Sequence, residues 1–140
     1  WISKLRRYNP MAELLTMMSD SADNLDWKLI SASKYIYWDM ILENITKPWC
    51  WSNISSNPNI PADIILENSK LNWNWYEVAK NPNVTIQLII TDLRDHCISM
   101  HAIYKNPHLT FDFIMQNSHL HWNWLFISEL PHIASTENIL

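Results

Sequence analysis

The sequence predicts an all-α protein, an α-solenoid of about six 24-residue repeats, each made of two short helices. Three observations predict it. A Trp-x-Trp pair recurs at a nearly fixed interval, an Asn-Pro pair follows it at a fixed offset, and apolar residues recur between them at helical spacing. The second tryptophan of each pair serves as a marker and falls at Trp27, Trp51, Trp75 and Trp124, with Met100 in the same slot. The spacings are 24, 24, 25 and 24. Extended backwards, the register places Ser3 at the marker and Trp1 in the column of the first tryptophan, which continues as Leu25, Trp49, Trp73, Ile98 and Trp122.

Six units beginning near residues 1, 25, 49, 73, 98 and 122 therefore account for residues 1–140 as a single helical-repeat domain. Since the chain opens on Trp1 rather than Met, a piece of a longer array is one expectation. Two further columns hold the register. Seven residues after the marker stand Pro10, Lys34, Pro58, Pro82, Pro107 and Pro131, and nine after it Ala12, Ile36, Ile60, Val84, Leu109 and Ile133.

Each element follows from its residues. After the marker, Trp75, Val78 and Ala79 sit at i, i+3 and i+4, one face of a first helix short enough to be 3₁₀. Lys80 and Lys105 are expected in its last turn, where cations suit the negative end of the dipole. Asn-Pro then stops it, because proline disfavours helical backbone in the residue before it. Thr85 and Thr110 are expected N-caps of the second helix, with Asp63 and Asp112 in its first turn. That helix carries an apolar triple, Met40-Ile41-Leu42, Ile64-Ile65-Leu66, Leu88-Ile89-Ile90 or Phe113-Ile114-Met115. Asn44, Asn68 and Asn117 close it, with Asp92 in the same slot. In a chain with no glycine these are the residues expected to take a left-handed C-cap. Helices this short are marginal alone in water, so stacking of the copies must supply the core. Trp27, Trp49, Trp51, Trp73, Trp75, Trp122 and Trp124, with Pro58, Pro82 and Pro107, are the expected structural core of the repeat.

The pattern W-x-W-x-x-I-x-x-N-P-N-I-x-x-x-I-I-x-E-N, clearest in "KPWCWSNISSNPNIPADIILENSKLNWNW" at 47–75, resembles the Trp- and Asn-rich repeats of uncharacterised proteins of giant DNA viruses of amoebae, the mimivirus-like group. The resemblance covers roughly 25–131, weakens at 27–36 and near the insertion at 92–97, and implies a viral origin without implying an activity. The segment "VAKNPNVTIQLIITDLRD" is distantly similar to the leucine-rich variant repeat, which alternates an α-helix with a 3₁₀-helix.

Composition removes several function classes. A net charge of −4 is a poor match for a phosphate backbone, so nucleic acid is disfavoured as a partner. No apolar run approaches the ~20 residues of a membrane span, and no signal peptide is visible, so an intracellular protein, in a host cytoplasm or a virion, is expected rather than a secreted one. Cys50 and Cys97 form no disulfide framework, which agrees with a reducing compartment. An enzyme is not expected: G-x-S-x-G and phosphate loops need the glycine this chain lacks, and H-E-x-x-H is absent. His96, Cys97 and His101, and His119 with His121, lack a metal-binding frame, so neither metal nor cofactor is expected.

What remains is a non-enzymatic scaffold that binds another protein. A packing column must repeat, whereas a recognition column is free to vary. The varying columns lie one and two residues after the marker: Lys28-Leu29, Ser52-Asn53, Tyr76-Glu77, His101-Ala102 and Leu125-Phe126. Tyr76, Glu77, His101, Tyr104, Leu125 and Phe126 are the candidate partner-binding residues. End-to-end self-association of the array is a further expectation. Single-stranded nucleic-acid binding and a structural place in the virion are the alternative readings.

Overall fold

The computed structural model describes residues 9–17, 25–96 and 98–134. Among these residues every regular element is helical and there is no strand. The chain divides into two compact units, residues 1–73 and 74–140. In the first lie α1 (Pro10–Met17), α2 (Trp27–Ser31), α3 (Trp38–Glu43), α4 (Trp51–Ser55) and α5 (Ala62–Glu67). In the second lie α6 (Trp75–Val78), α7 (Ile86–Thr91), a 3₁₀ turn (Arg94–His96), α8 (Met100–Ile103), α9 (Phe111–Gln116), α10 (Trp124–Ser128) and α11 (Pro131–Ala134).

The first helix of each described copy, α2, α4, α6, α8 and α10, starts on the marker residue itself. It is a single α turn and not 3₁₀: Ile30, Ile54, Val78, Ile103 and Ile127 each donate to the carbonyl four residues back. The residue between the two tryptophans explains the start. Asp26, Asn74, Ser99 and Asn123 hold non-helical backbone, and each side chain accepts an N–H from the first turn. Cys50, in the same slot, makes no such bond. Replacing Asn123 with alanine should therefore cost about 1 kcal/mol, and Cys50→Ser should be neutral or slightly stabilising, both readable in urea unfolding.

Lys80 and Lys105 fall outside the last turn in which the dipole is expected to hold them, since α6 ends at Val78 and α8 at Ile103. The Lys80 ammonium instead pairs with Glu77 at 2.8 Å.

The Asn-Pro step is a side-chain turn. Asn57, Asn81 and Asn106 each accept, through Oδ1, the N–H two residues on. Ser33 does the same with its hydroxyl for Tyr35 in the copy without Asn-Pro. Pro10 and Pro131 are also the first residues of α1 and α11, a position where a missing N–H costs no bond. Asn9 accepts from Met11 at that start.

Thr85 and Thr110 cap α7 and α9 through bonds from Leu88 and Phe113, as the sequence predicts, and Asp63 and Asp112 occupy first turns. The left-handed C-cap expected at these helix ends does not form. Asn44, Asn68 and Asn117 have φ of −127°, −113° and −116°, and Asp92 −95°. The asparagines close their helices in another way. Each side-chain amide donates back to the carbonyl four residues earlier, satisfying an acceptor the helix end would leave open. No positive φ is needed at these ends, so no glycine is needed either.

The core is built from the repeating aliphatic columns. Ile36, Ile60, Val84, Leu109 and Ile133 are buried, as are Ile30, Ile54, Val78, Ile103 and Ile127. Within each apolar triple the middle residue, Ile41, Ile65, Ile89 or Ile114, is the one fully enclosed, and Ile86 of α7 is enclosed with it. Leu42 and Met115, at the edge of their triples, are about half exposed. Ala12 lies outside the residues whose side chains are described.

Candidate functional site

The two tryptophan columns have different fates. Trp49, Trp73 and Trp122 are buried, and each indole N–H donates to the backbone carbonyl of the asparagine five residues before it, Asn44, Asn68 or Asn117. Asparagine and tryptophan thus form one device, in which the amide ends the helix and the carbonyl anchors the ring. Both members change together at the junction of the fourth and fifth copies, which has Asp92 and Ile98.

The second tryptophan is half-buried at Trp27, Trp51 and Trp75 and half exposed at Trp124. Trp27 meets Trp49 edge to face at 5.1 Å, and Trp51 meets Trp73 likewise at 5.2 Å, so within the first unit this column packs one copy on the next. Trp75 stacks instead on His96 at 3.7 Å, in the copy where Ile98 replaces the next first-column tryptophan. The second column is therefore only partly core, and Pro58, Pro82 and Pro107 are exposed turn residues rather than core.

The asparagines of Asn-Pro are enclosed and reach across copies. The Asn57 amide donates to the carbonyls of Ser31 and Ser33, and the Asn106 amide to those of Ala79 and Val84. The position two residues later reaches across as well. Asn59 donates to Lys34 and Ile36, and His108 Nε2 meets the Pro82 carbonyl. A carbonyl only accepts, so that ring carries hydrogen on Nε2. Enclosure removes Asn57, Asn81 and Asn106 from any recognition row.

No group of three His, Cys, Asp or Glu side chains among the described residues is placed to hold a metal ion, and Cys97 lies outside them. Among the described residues no helix is long and apolar enough to cross a membrane.

Within the second unit the side chains of three copies meet in a strip. Tyr76 lies nearly parallel to His101 with ring centroids 6.1 Å apart, and His101 meets Phe126 edge to face at 5.5 Å. Phe126 in turn stacks on Tyr104 at 4.9 Å. Two cations join the strip: Lys80 stands 5.3 Å and Lys105 5.8 Å from the Tyr76 ring centre. Five residues after the marker the three copies carry Lys80, Lys105 and Glu129, each four residues beyond Tyr76, His101 or Leu125. Both ammonium groups lie over the Tyr76 ring, so the basic pair and the aromatic pair belong to one surface. The corresponding slots of residues 27–56 hold Lys28 with Ala32 and Ser52 with Ser56, and no aromatic residue.

Of the six candidate residues, Tyr76, Glu77, His101, Tyr104 and Phe126 are thus linked by ring contacts or the Lys80 ion pair. Leu125, the neighbour of Phe126, is 75% exposed. Tyr104 is not at the surface: it is 4% exposed, and its hydroxyl accepts the Asn123 N–H. Ser31 plays the same part in the first unit, its hydroxyl accepting the Cys50 N–H. Tyr104 is therefore a joint between copies, and its ring backs the strip from beneath. Ala102 is likewise buried, although its column is expected to be exposed. The Lys80–Lys105 pair is the part that the marker columns alone miss; the signal for it is the i, i+4 relation to Tyr76 and His101.

No protein-family model, curated protein or solved structure matches the chain.

Proposed function

We propose that the protein is a non-enzymatic helical-repeat scaffold, an α-solenoid in architecture, that binds a protein partner through the strip of Tyr76, His101, Leu125 and Phe126. The strip is the observation that carries the reading. It joins exposed and half-exposed rings from successive copies at positions free of the packing duties that fix the other columns. Partly exposed aromatic residues at a polar-rimmed surface are the side chains that dominate protein interfaces. Hydrogen bonds that reach from one copy to the next within each unit, over 22 to 27 residues of sequence, support the solenoid architecture. A viral scaffold is the setting its pattern suggests.

Single-strand nucleic-acid binding, one base per copy, finds support in the Lys80–Lys105 pair. The ring geometry counts against it. A base held between two rings needs about 7 Å between their planes, and Tyr76 and His101 stand 6.1 Å centre to centre. That slot is closed.

The test is a double variant, His101→Ser with Leu125→Ser, at two exposed positions. It should keep the helical circular-dichroism spectrum and the unfolding midpoint of the parent, and lose at least 90% of whatever defined protein the parent retains from an infected host-cell extract. Equal retention by both proteins would sink the reading. Salt-sensitive binding of labelled oligouridylate by the parent below 1 μM would replace it with the nucleic-acid one.

A further inference from the structure

We infer that the strip takes an acidic peptide segment bearing one large apolar residue, with a carboxylate set on Lys105 and the apolar side chain on Leu125 and Phe126. This deepens the reading above and rests on it.

The argument is one of complementarity. Lys105 is exposed and has no carboxylate partner among the described residues; its ammonium lies over the Tyr76 ring. Lys80, on the same ring, is already neutralised by Glu77. The free positive charge of the strip is therefore that of Lys105, at the Tyr76 end, with His101 and then Phe126 following along the strip. A carboxylate arriving there gains an ion pair while the Tyr76 face stays covered by Lys80. Glu129, four residues after Leu125, puts a negative charge at the opposite end. A partner segment that is acidic throughout would be repelled there. One that is acidic at the Tyr76 end and apolar, or apolar then basic, at the Phe126 end matches the strip along its length.

Spacing narrows the sequence further. The Lys105 ammonium lies over Tyr76, and the strip runs from Tyr76 to Phe126 in ring-centre steps of 6.1 Å and 5.5 Å through His101. An extended chain advances about 3.3 Å per residue, so the carboxylate and the apolar anchor should be about three residues apart. The net charge of −4 on the whole chain works against acidic ligands at long range. Attraction is then confined to within a Debye length of Lys105, about 8 Å at physiological salt, which makes the contact selective for placement and not merely for charge.

The experiment selects a phage-displayed random dodecapeptide library against the whole 140-residue chain and measures synthetic, labelled copies of the selected peptides by fluorescence anisotropy. The expected result is enrichment of Asp or Glu about three residues from Phe, Trp, Tyr or Leu. Lys105→Glu should weaken those peptides about tenfold. A charge-swapped peptide, carrying Lys in place of its acid, should bind the Lys105→Glu variant better than it binds the parent. Neutral or basic peptides that depend on His101 and Leu125 but not on Lys105 would overturn the acidic ligand while leaving the strip as a binding surface. Selected peptides indifferent to all three positions, or no selected peptide at all, would overturn both. Concentration-dependent self-association in sedimentation that Lys105→Glu abolishes would overturn the peptide in favour of a second copy of the chain.

Discussion

Trp73→Ala should destabilise the protein by about 4 kcal/mol, while Trp124→Ala should cost less than about 1 kcal/mol, although both residues belong to the same repeated Trp-x-Trp motif. Trp73 is buried, donates its indole N–H to the Asn68 carbonyl at 2.8 Å, and meets Trp38 at 5.8 Å and Trp51 at 5.2 Å. Truncation removes the ring, leaves a cavity between two other tryptophans, and orphans a carbonyl at a helix end. Trp124 is 50% exposed, so little apolar area returns to water when it is cut back. Trp73→Phe separates the components. It keeps most of the buried surface and loses the indole hydrogen bond, for an expected cost of about 1–3 kcal/mol. Urea unfolding, monitored by far-ultraviolet circular dichroism so that tryptophan loss does not remove the signal, checks the order of damage: Trp73→Ala first, Trp73→Phe second, Trp124→Ala last. A Trp124 variant as damaged as the Trp73 variant would show that the second-column ring carries packing its exposure denies.

The second large effect is expected at Asn106. Its amide donates to the Ala79 carbonyl at 2.6 Å and the Val84 carbonyl at 2.7 Å, its Oδ1 accepts the His108 N–H at 2.8 Å, and the residue is fully enclosed. Asn106→Ala leaves two carbonyls and one N–H without that partner. At roughly 1–3 kcal/mol for each buried unsatisfied group, partly offset by relaxation, the expected loss is about 3 kcal/mol. Asn106→Asp decides how the residue acts. Aspartate is nearly isosteric and still accepts from His108, but as a carboxylate it offers no donor and sets a negative charge against two carbonyls. If the residue works by donating across copies, aspartate should be at least as damaging as alanine at pH 7. If it works only as a turn residue, aspartate should be nearly silent, since Asp serves such turns as well as Asn.

These two cases show how much of the protein its sequence already displays. The markers Trp27, Trp51, Trp75, Met100 and Trp124 each begin a helix, and Thr85 and Thr110 cap the next one, as expected from their positions. Such features depend on bonds within three or four residues, so a single copy contains everything needed to read them. The left-handed caps expected at Asn44, Asn68 and Asn117 fail for a related reason. Two local solutions compete at a helix end, and side-chain amide donation to the fourth preceding carbonyl satisfies the orphan acceptor without a strained backbone. The candidate strip is half legible. Tyr76, His101, Leu125 and Phe126 stand out because they vary where other columns repeat, but Tyr104 gives no local sign that its hydroxyl is taken by the Asn123 N–H, 19 residues on.

The sequence by itself determined the period, the helix starts and the aliphatic columns that face inward, because the period is the recurrence itself and the others are written in spacings shorter than one repeat. The tertiary structure decided which polar groups are spoken for. Asn57 and Asn106 find their carbonyls in the neighbouring copy, Trp49, Trp73 and Trp122 find theirs at the closing asparagine, and Lys105 is left with a ring and no carboxylate among the described residues. A donor's chemistry is fixed by its residue type, but the partners of Asn57 and Asn106 are fixed only when the copies pack and bring residues 26 and 27 positions apart within hydrogen-bonding distance.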